Sequence, residues 1–272
     1  HKSDPITLQV EAPQNWKLIS GFSESESVRT FRVNNYDILI DTPLEVSPSV
    51  TTAQFVERGK TIRIAVHSST EPDPDLTNLV SSVRKFVGSQ LGMMPEPDFP
   101  HFTFIFHFAP GILLGDGMEH LNSTSLIARN PLSGGGLEEV LEIACHEFFH
   151  AWNVKRLRPA GFGPFDYTRE QYTNALWFAE GVTTYYSFVY LLRSGVWTRE
   201  QFLTRLGEEI RTLEFEPGQK LMSAESSSFH AWFYDRSPQM QQTNFANTTI
   251  NYYNKGAVLG LLLDLEIRAR TE

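Results

Sequence analysis

The chain holds a single cysteine, Cys145, so no intrachain disulfide exists and the fold has to rest on buried apolar surface. No stretch approaches the roughly 20 apolar residues of a membrane-spanning helix, so no membrane partner is expected. Basic residues form no run, and the net charge of −9 opposes a phosphate backbone, which excludes nucleic acid as a natural partner. An internal repeat and a low-complexity tract are both absent. What is present is length and apolar content: 272 residues, 41% apolar, enough for one domain and part of another.

Residues 1–70 read as short strands with turn signals between them: "ITLQVEA", "KLISGF", "VRTFRV", "DILIDTPLEV" and "KTIRIAVHS". They predict a β-rich N-terminal domain, part of a β-sandwich. "SSTEPDPD", residues 68–75, carries the clearest break. Residues 71–272 then form the second expected domain. It starts with a helix over "LTNLVSSVRKFVGSQLG", followed by a strongly apolar strand "HFTFIFHF", a glycine-rich loop "APGILLGDGMEH" and a strand "STSLIAR". "NPLSGGG" interrupts the chain before further helices. The expected class is α+β.

In "LEEVLEIACHEFFHAW" apolar residues recur at helical spacing without Pro or Gly. His146 and His150 are four apart, so a helix turns both imidazoles to one side, where they can address one metal ion. Glu147 stands beside them, placed to take a proton from an attacking water. An apolar helix does not bury two histidines and a glutamate unless something satisfies them, and zinc is the reading that does. A catalytic zinc takes a third protein ligand and keeps one position open. Glu180, an acid interrupting the apolar run "NALWFAEGVTTYYSFVYLL", is the candidate, with Thr184 one turn on as a hydrogen-bonding support. Cys145 reads as a small core residue. Lys155, Arg156 and Arg158 form a basic cluster that either pairs with local acids or meets substrate carboxylates. His101, His107 and His230 stand in no spacing that suggests ligation.

The His146-Glu147-x-x-His150 word followed by Glu180 resembles the gluzincin metallopeptidases. The blocks "HEFFHAWNVKRLRP", "ALWFAEGVTTYY", "GMEHLNSTSL" and "YYNKGAVLGLLLDLEIR" are similar, in this order, to the glycyl aminopeptidase family, relatives of the aminopeptidase N group. The resemblance implies a β-rich N-terminal domain, a thermolysin-like catalytic domain of sheet plus helices, Zn2+ as cofactor, and usually a PDZ domain further on. It also implies two further roles. Glu119, in a word where Met118 and Glu119 match and Asp116 and His120 depart, would hold the free amine of a substrate. Tyr253, in Tyr253-x-Lys255-Gly256-Ala257, would donate a hydrogen bond to the oxyanion.

The expected function is therefore a zinc aminopeptidase acting on peptides with a free N-terminus, with a preference for Gly or Ala inherited from the family. The alternatives are a zinc endopeptidase with the same site and a catalytically inactive peptide-binding homologue. The chain starts with His and stops inside an apparent helix, so it is expected to lack terminal portions. A cytoplasmic location is expected, with the periplasm as the alternative, and the oligomeric state is open.

Overall fold

The computed structural model describes residues 1–23, 25, 27–112, 114–234 and 245–271. Leu113, in the expected glycine-rich loop, lies outside them. The chain divides into two compact units, residues 1–155 and 156–272.

The first unit begins with two small antiparallel sheets. Strand β1 (Ile6–Gln9) pairs with β3 (Thr30–Val33), and β2 (Lys17–Ser20) with β4 (Leu44–Ser47). "DILIDTPLEV" is not one strand. Asn35 caps the backbone N–H of Ile38 and starts a short helix α1 (Tyr36–Ile40), and only Leu44 onward is extended. β5 (Thr51–Glu57) and β6 (Lys60–Ser68) form a hairpin through Arg58 and Gly59, both at positive φ, as a two-residue turn requires.

This hairpin belongs to a five-stranded sheet that continues into β7 (His101–Phe108), β9 (Ser123–Ala128) and β8 (Asp116–Glu119), in the order β5-β6-β7-β9-β8. The expected boundary at residue 70 falls between β6 and β7, which run parallel and paired from Thr61↔His101 to Ser68↔Phe108. That boundary would cut a continuous sheet, and β5 and β6 belong with the strands that follow them.

β7 is the central strand, which explains why it is apolar on both faces. Its even positions, Phe102, Phe104 and Phe106, turn toward helix α2 (Thr77–Met93) and helix α3 (Gly136–Phe149). The Phe148 ring lies 4.9 Å from Phe102 and 5.7 Å from Phe104, and Phe86 lies 6.1 Å from Phe104. The odd positions face the N-terminal strands: Thr103 donates to the Ser20 carbonyl, and Ile105 packs with Ile19, Val50 and Ala65.

In the second unit a π-helix (Trp177–Val182) runs directly into α4 (Thr183–Arg193), followed by α5 (Arg199–Phe215), α6 (Ala224–Phe229), α7 (Ala231–Tyr234) and α8 (Tyr252–Thr271). α5 starts on a capping box made by Thr198 and Gln201. Tyr185, Leu206 and Ala257 join α4, α5 and α8 in one cluster. No helix among the described residues is long and apolar enough to cross a membrane.

Candidate active site

α3 carries His146 in its last turn, and His150 is its C-terminal cap, so the helix stops one residue short of the second histidine. His146, Glu147 and His150 place ligand-type atoms within 4.8 Å of one another. The two Nε2 atoms are 3.0 Å apart. His150 is buried, and its Nδ1 lies 2.5 Å from the Asn153 carbonyl. A carbonyl only accepts, so Nδ1 carries the proton and a neutral His150 turns the lone pair of Nε2 toward His146. Two nitrogens converging in this way, one with its tautomer fixed by the other ring atom, are the donor arrangement of a zinc-binding pair. The donor set fits zinc.

The last part of α3 and the turns after it are held to the rest of the unit. Gln90 on α2 donates to the Cys145 carbonyl at 2.9 Å, and the Trp152 indole donates to the Pro95 carbonyl at 2.7 Å. Cys145 is fully buried, and that burial pushes its thiol pKa up, away from any nucleophilic form. It is a core residue, as expected.

Glu147 is also buried and lies against strand β8. A Cβ on Gly117 would come within 2.5 Å of Glu147 Oε1 and 2.6 Å of its Cγ, so only glycine lets the strand pass this close. The expected loop at residues 109–120 therefore ends in a strand, β8, at the sheet edge. Glu119 is two residues beyond Gly117 and shares its strand face. It is half-buried, while Met118 on the opposite face is exposed.

His120 turns to Asp41, with Nδ1 3.4 Å from Oδ1. Asp41 also accepts from the Leu121 backbone N–H at 3.0 Å and from Lys155 at 2.7 Å. Burial works to raise the Asp41 carboxyl, but the hydrogen bond to His120 and the charge of Lys155 outweigh it and hold the group below the ordinary carboxylate range. Lys155 thus pairs with a local acid.

Glu180 lies in the π-helix of the second unit and is half-buried. The Thr184 hydroxyl donates to the Glu180 main-chain carbonyl at 3.0 Å, which also accepts the Thr183 backbone N–H. In the apolar run around Glu180, Ala179, Val182 and Tyr185 are buried, whereas Phe178 is 42% exposed. The π-helix crosses α8 at a glycine pair: a Cβ on Gly181 would lie 2.4 Å from Gly256 Cα, and one on Gly256 2.2 Å from the Trp177 carbonyl oxygen. This crossing places the segment bearing Glu180 against the start of α8, where Tyr253 stands. Tyr253 is half-buried with its ring stacked on Tyr252 at 4.8 Å, and Tyr252 is the buried member.

Sequence reasoning missed two contributors. Asn153 acts through its carbonyl, which no side-chain pattern announces. Gly117 acts through a missing Cβ, and its only signal was the glycine in "GDGMEH".

N-terminal strands, a mixed sheet backed by helices, and a helical part after them define an aminopeptidase-like fold. Residues 139–259 match the M61 glycyl aminopeptidase family, and residues 1–48 match the Peptidase M61 N-terminal domain. The chain belongs to the M61 glycyl aminopeptidase family. It is similar to the crystal structure of an aminopeptidase N family protein from Idiomarina loihiensis, with 30% identity and a TM-score of 0.87 over 98% of this chain and 47% of that one. The chain thus spans about half the length of that protein. Yeast LTA4 hydrolase, solved in complex with bestatin, shares the fold: TM-score 0.52 and 14% identity over 96% of this chain and 37% of its own. No curated protein matches the sequence.

Proposed function

We propose that the chain carries the catalytic centre of a zinc-dependent aminopeptidase that removes small N-terminal residues, Gly or Ala, from peptides. The observation that supports this most is the 3.0 Å convergence of the His146 and His150 Nε2 atoms, with the His150 proton fixed on Nδ1 by the Asn153 carbonyl. On this reading His146, His150 and Glu180 hold zinc, two imidazoles and a carboxylate that leave one position open. When bound, zinc supplies a Lewis acid that polarises the scissile carbonyl and acidifies water.

The remaining roles fall to the chain's own groups. Glu147 takes the proton of the attacking water and passes it to the leaving amine. Packed against Gly117, its carboxylate has little freedom, which suits a base that must meet water at a fixed point. Tyr253 donates its phenolic hydrogen to the developing oxyanion, a contribution on the order of 3 kcal/mol for one preorganised donor. Glu119 accepts the substrate ammonium. Two positions along the same strand face separate it from Gly117, roughly 7 Å of extended chain.

The test is the zinc-loaded chain against Gly- and Ala-nitroanilides, each with a free and an acetylated amine. Cleavage confined to the free-amine substrates and lost on chelation is expected. Equal cleavage of both would move the assignment to endopeptidase. Zinc binding without any cleavage would leave a peptide-binding protein.

A further inference from the structure

A second group of metal-ligating side chains lies in the first unit, on the sheet face opposite α2 and α3. His67 on β6 and His107 on β7 are directly paired across the parallel ladder and project to the same face. The preceding positions on that face are Ala65 and Ile105, which pack with Ile19. Ile19 is in turn the cross-strand partner of Glu45 on β4. The small β2–β4 sheet thus lays Ile19 on the apolar pair and Glu45 on the histidine pair. His67 Nδ1 is 3.3 Å from Glu45 Oε1, and His107 Nε2 is 3.2 Å from Glu45 Oε2. The three side chains offer ligand atoms within 4.8 Å of one another.

The tautomer of His107 carries the argument further. Its Nδ1 lies 3.2 Å from the Leu126 carbonyl, so this nitrogen holds a proton, and in the neutral ring Nε2 presents a lone pair. A lone pair aimed at a carboxylate is repulsive unless a positive charge stands between them. A proton on His107 Nε2 is one such charge, and the Glu45 carboxylate favours it; a divalent ion is the other, and it engages both rings, with centroids 6.0 Å apart, together with the carboxylate. One divalent ion satisfies all three groups at once. An imidazole held by a backbone carbonyl through its other nitrogen is also the usual support for a metal ligand.

We propose that Glu45, His67 and His107 form a second divalent-metal site, for zinc or an ion of similar borderline character, that fastens β4 to the central sheet. Two nitrogens and one carboxylate suit zinc, and the partial exposure of His67, 39%, leaves a route for the ion and for a water as fourth ligand. The ion ties the N-terminal strands to β6 and β7, so its binding free energy adds to the stability of that junction.

The test uses the whole chain, stripped of metal and equilibrated with zinc alone. Elemental analysis is expected to give about two zinc ions per chain for the wild type and about one for His67→Ala. Glu45→Gln, which keeps shape and packing, should also bind about one. The His146→Ala/His150→Ala variant should retain about one and melt at a higher temperature with zinc than without it. Two ions retained by both His67→Ala and Glu45→Gln would overturn the proposal. So would a His146→Ala/His150→Ala variant that takes up no zinc while remaining folded. Because this site is read where the other is removed, its outcome is independent of the aminopeptidase reading.

Discussion

At the scale of single residues, Glu147 and Gly117 are one device. The glutamate is buried on α3, and the strand beside it has no Cβ to push it away. Glu147→Gln keeps this packing but cannot accept a proton. It should lower kcat by about two orders of magnitude or more with zinc content unchanged, as paired turnover and elemental measurements would show. Gly117→Ala acts on the same atom from the other side. The added Cβ must displace a buried carboxylate, so kcat should fall at least about tenfold with zinc still bound, at a stability cost of about 1–3 kcal/mol. Tyr253→Phe should lower kcat by about 100-fold and leave KM nearly unchanged, because the hydrogen bond is needed in the transition state. The His-Glu-x-x-His word was legible because its spacing is local to one helix. Gly117, some 30 residues upstream on a strand, was not.

Elements place these residues, and here local pattern was a partial guide. The apolar β7 and the periodic α2 and α3 were legible in the sequence, since burial on both faces or on one stripe leaves a direct mark. β8 was not, because a four-residue edge strand after glycines looks like a loop. Nor was the π-helix, whose extra residue per turn changes no side chain. Its crossing with α8 gives a sharp prediction. At Gly181 and Gly256 the atoms met by a Cβ are backbone, at 2.4 and 2.2 Å, so no rotamer change can relieve them. Either residue changed to Ala should cost about 3 kcal/mol or more in urea unfolding. Gly260→Ala, whose nearest neighbour is the Tyr185 Cβ at 3.1 Å, should cost far less.

For the first unit as a whole, Asp41 joins parts distant in sequence: the end of α1, the residues after β8, and Lys155 beyond α3. Its carboxyl is held below the ordinary range, so the folded state favours the ionised form. The stability this adds is fully present above the unfolded value of about 3.9 and is lost as pH falls through the lower folded value. Asp41→Asn should therefore cost about 2 kcal/mol near neutrality, with the difference from wild type shrinking below about pH 4. Melting curves of both proteins across this range measure it. A constant difference down to about pH 2 would remove Asp41 from the linkage.

The sequence by itself determined the chemistry that lies within one helical turn: two imidazoles and a glutamate at the end of α3 and on its C-terminal cap, in an apolar setting. It determined the class of fold as well, because strand and helix periods are local properties. The tertiary structure alone decided that β5 and β6 belong to the central sheet, that Gly117 opens the space for Glu147, and that Glu45, His67 and His107 share one point. Residues 45, 67 and 107 sit on three strands, and their approach depends on ladder register and on how two sheets pack. Such contacts leave no spacing along the chain, since they exist only once the backbone hydrogen bonds between strands have been made.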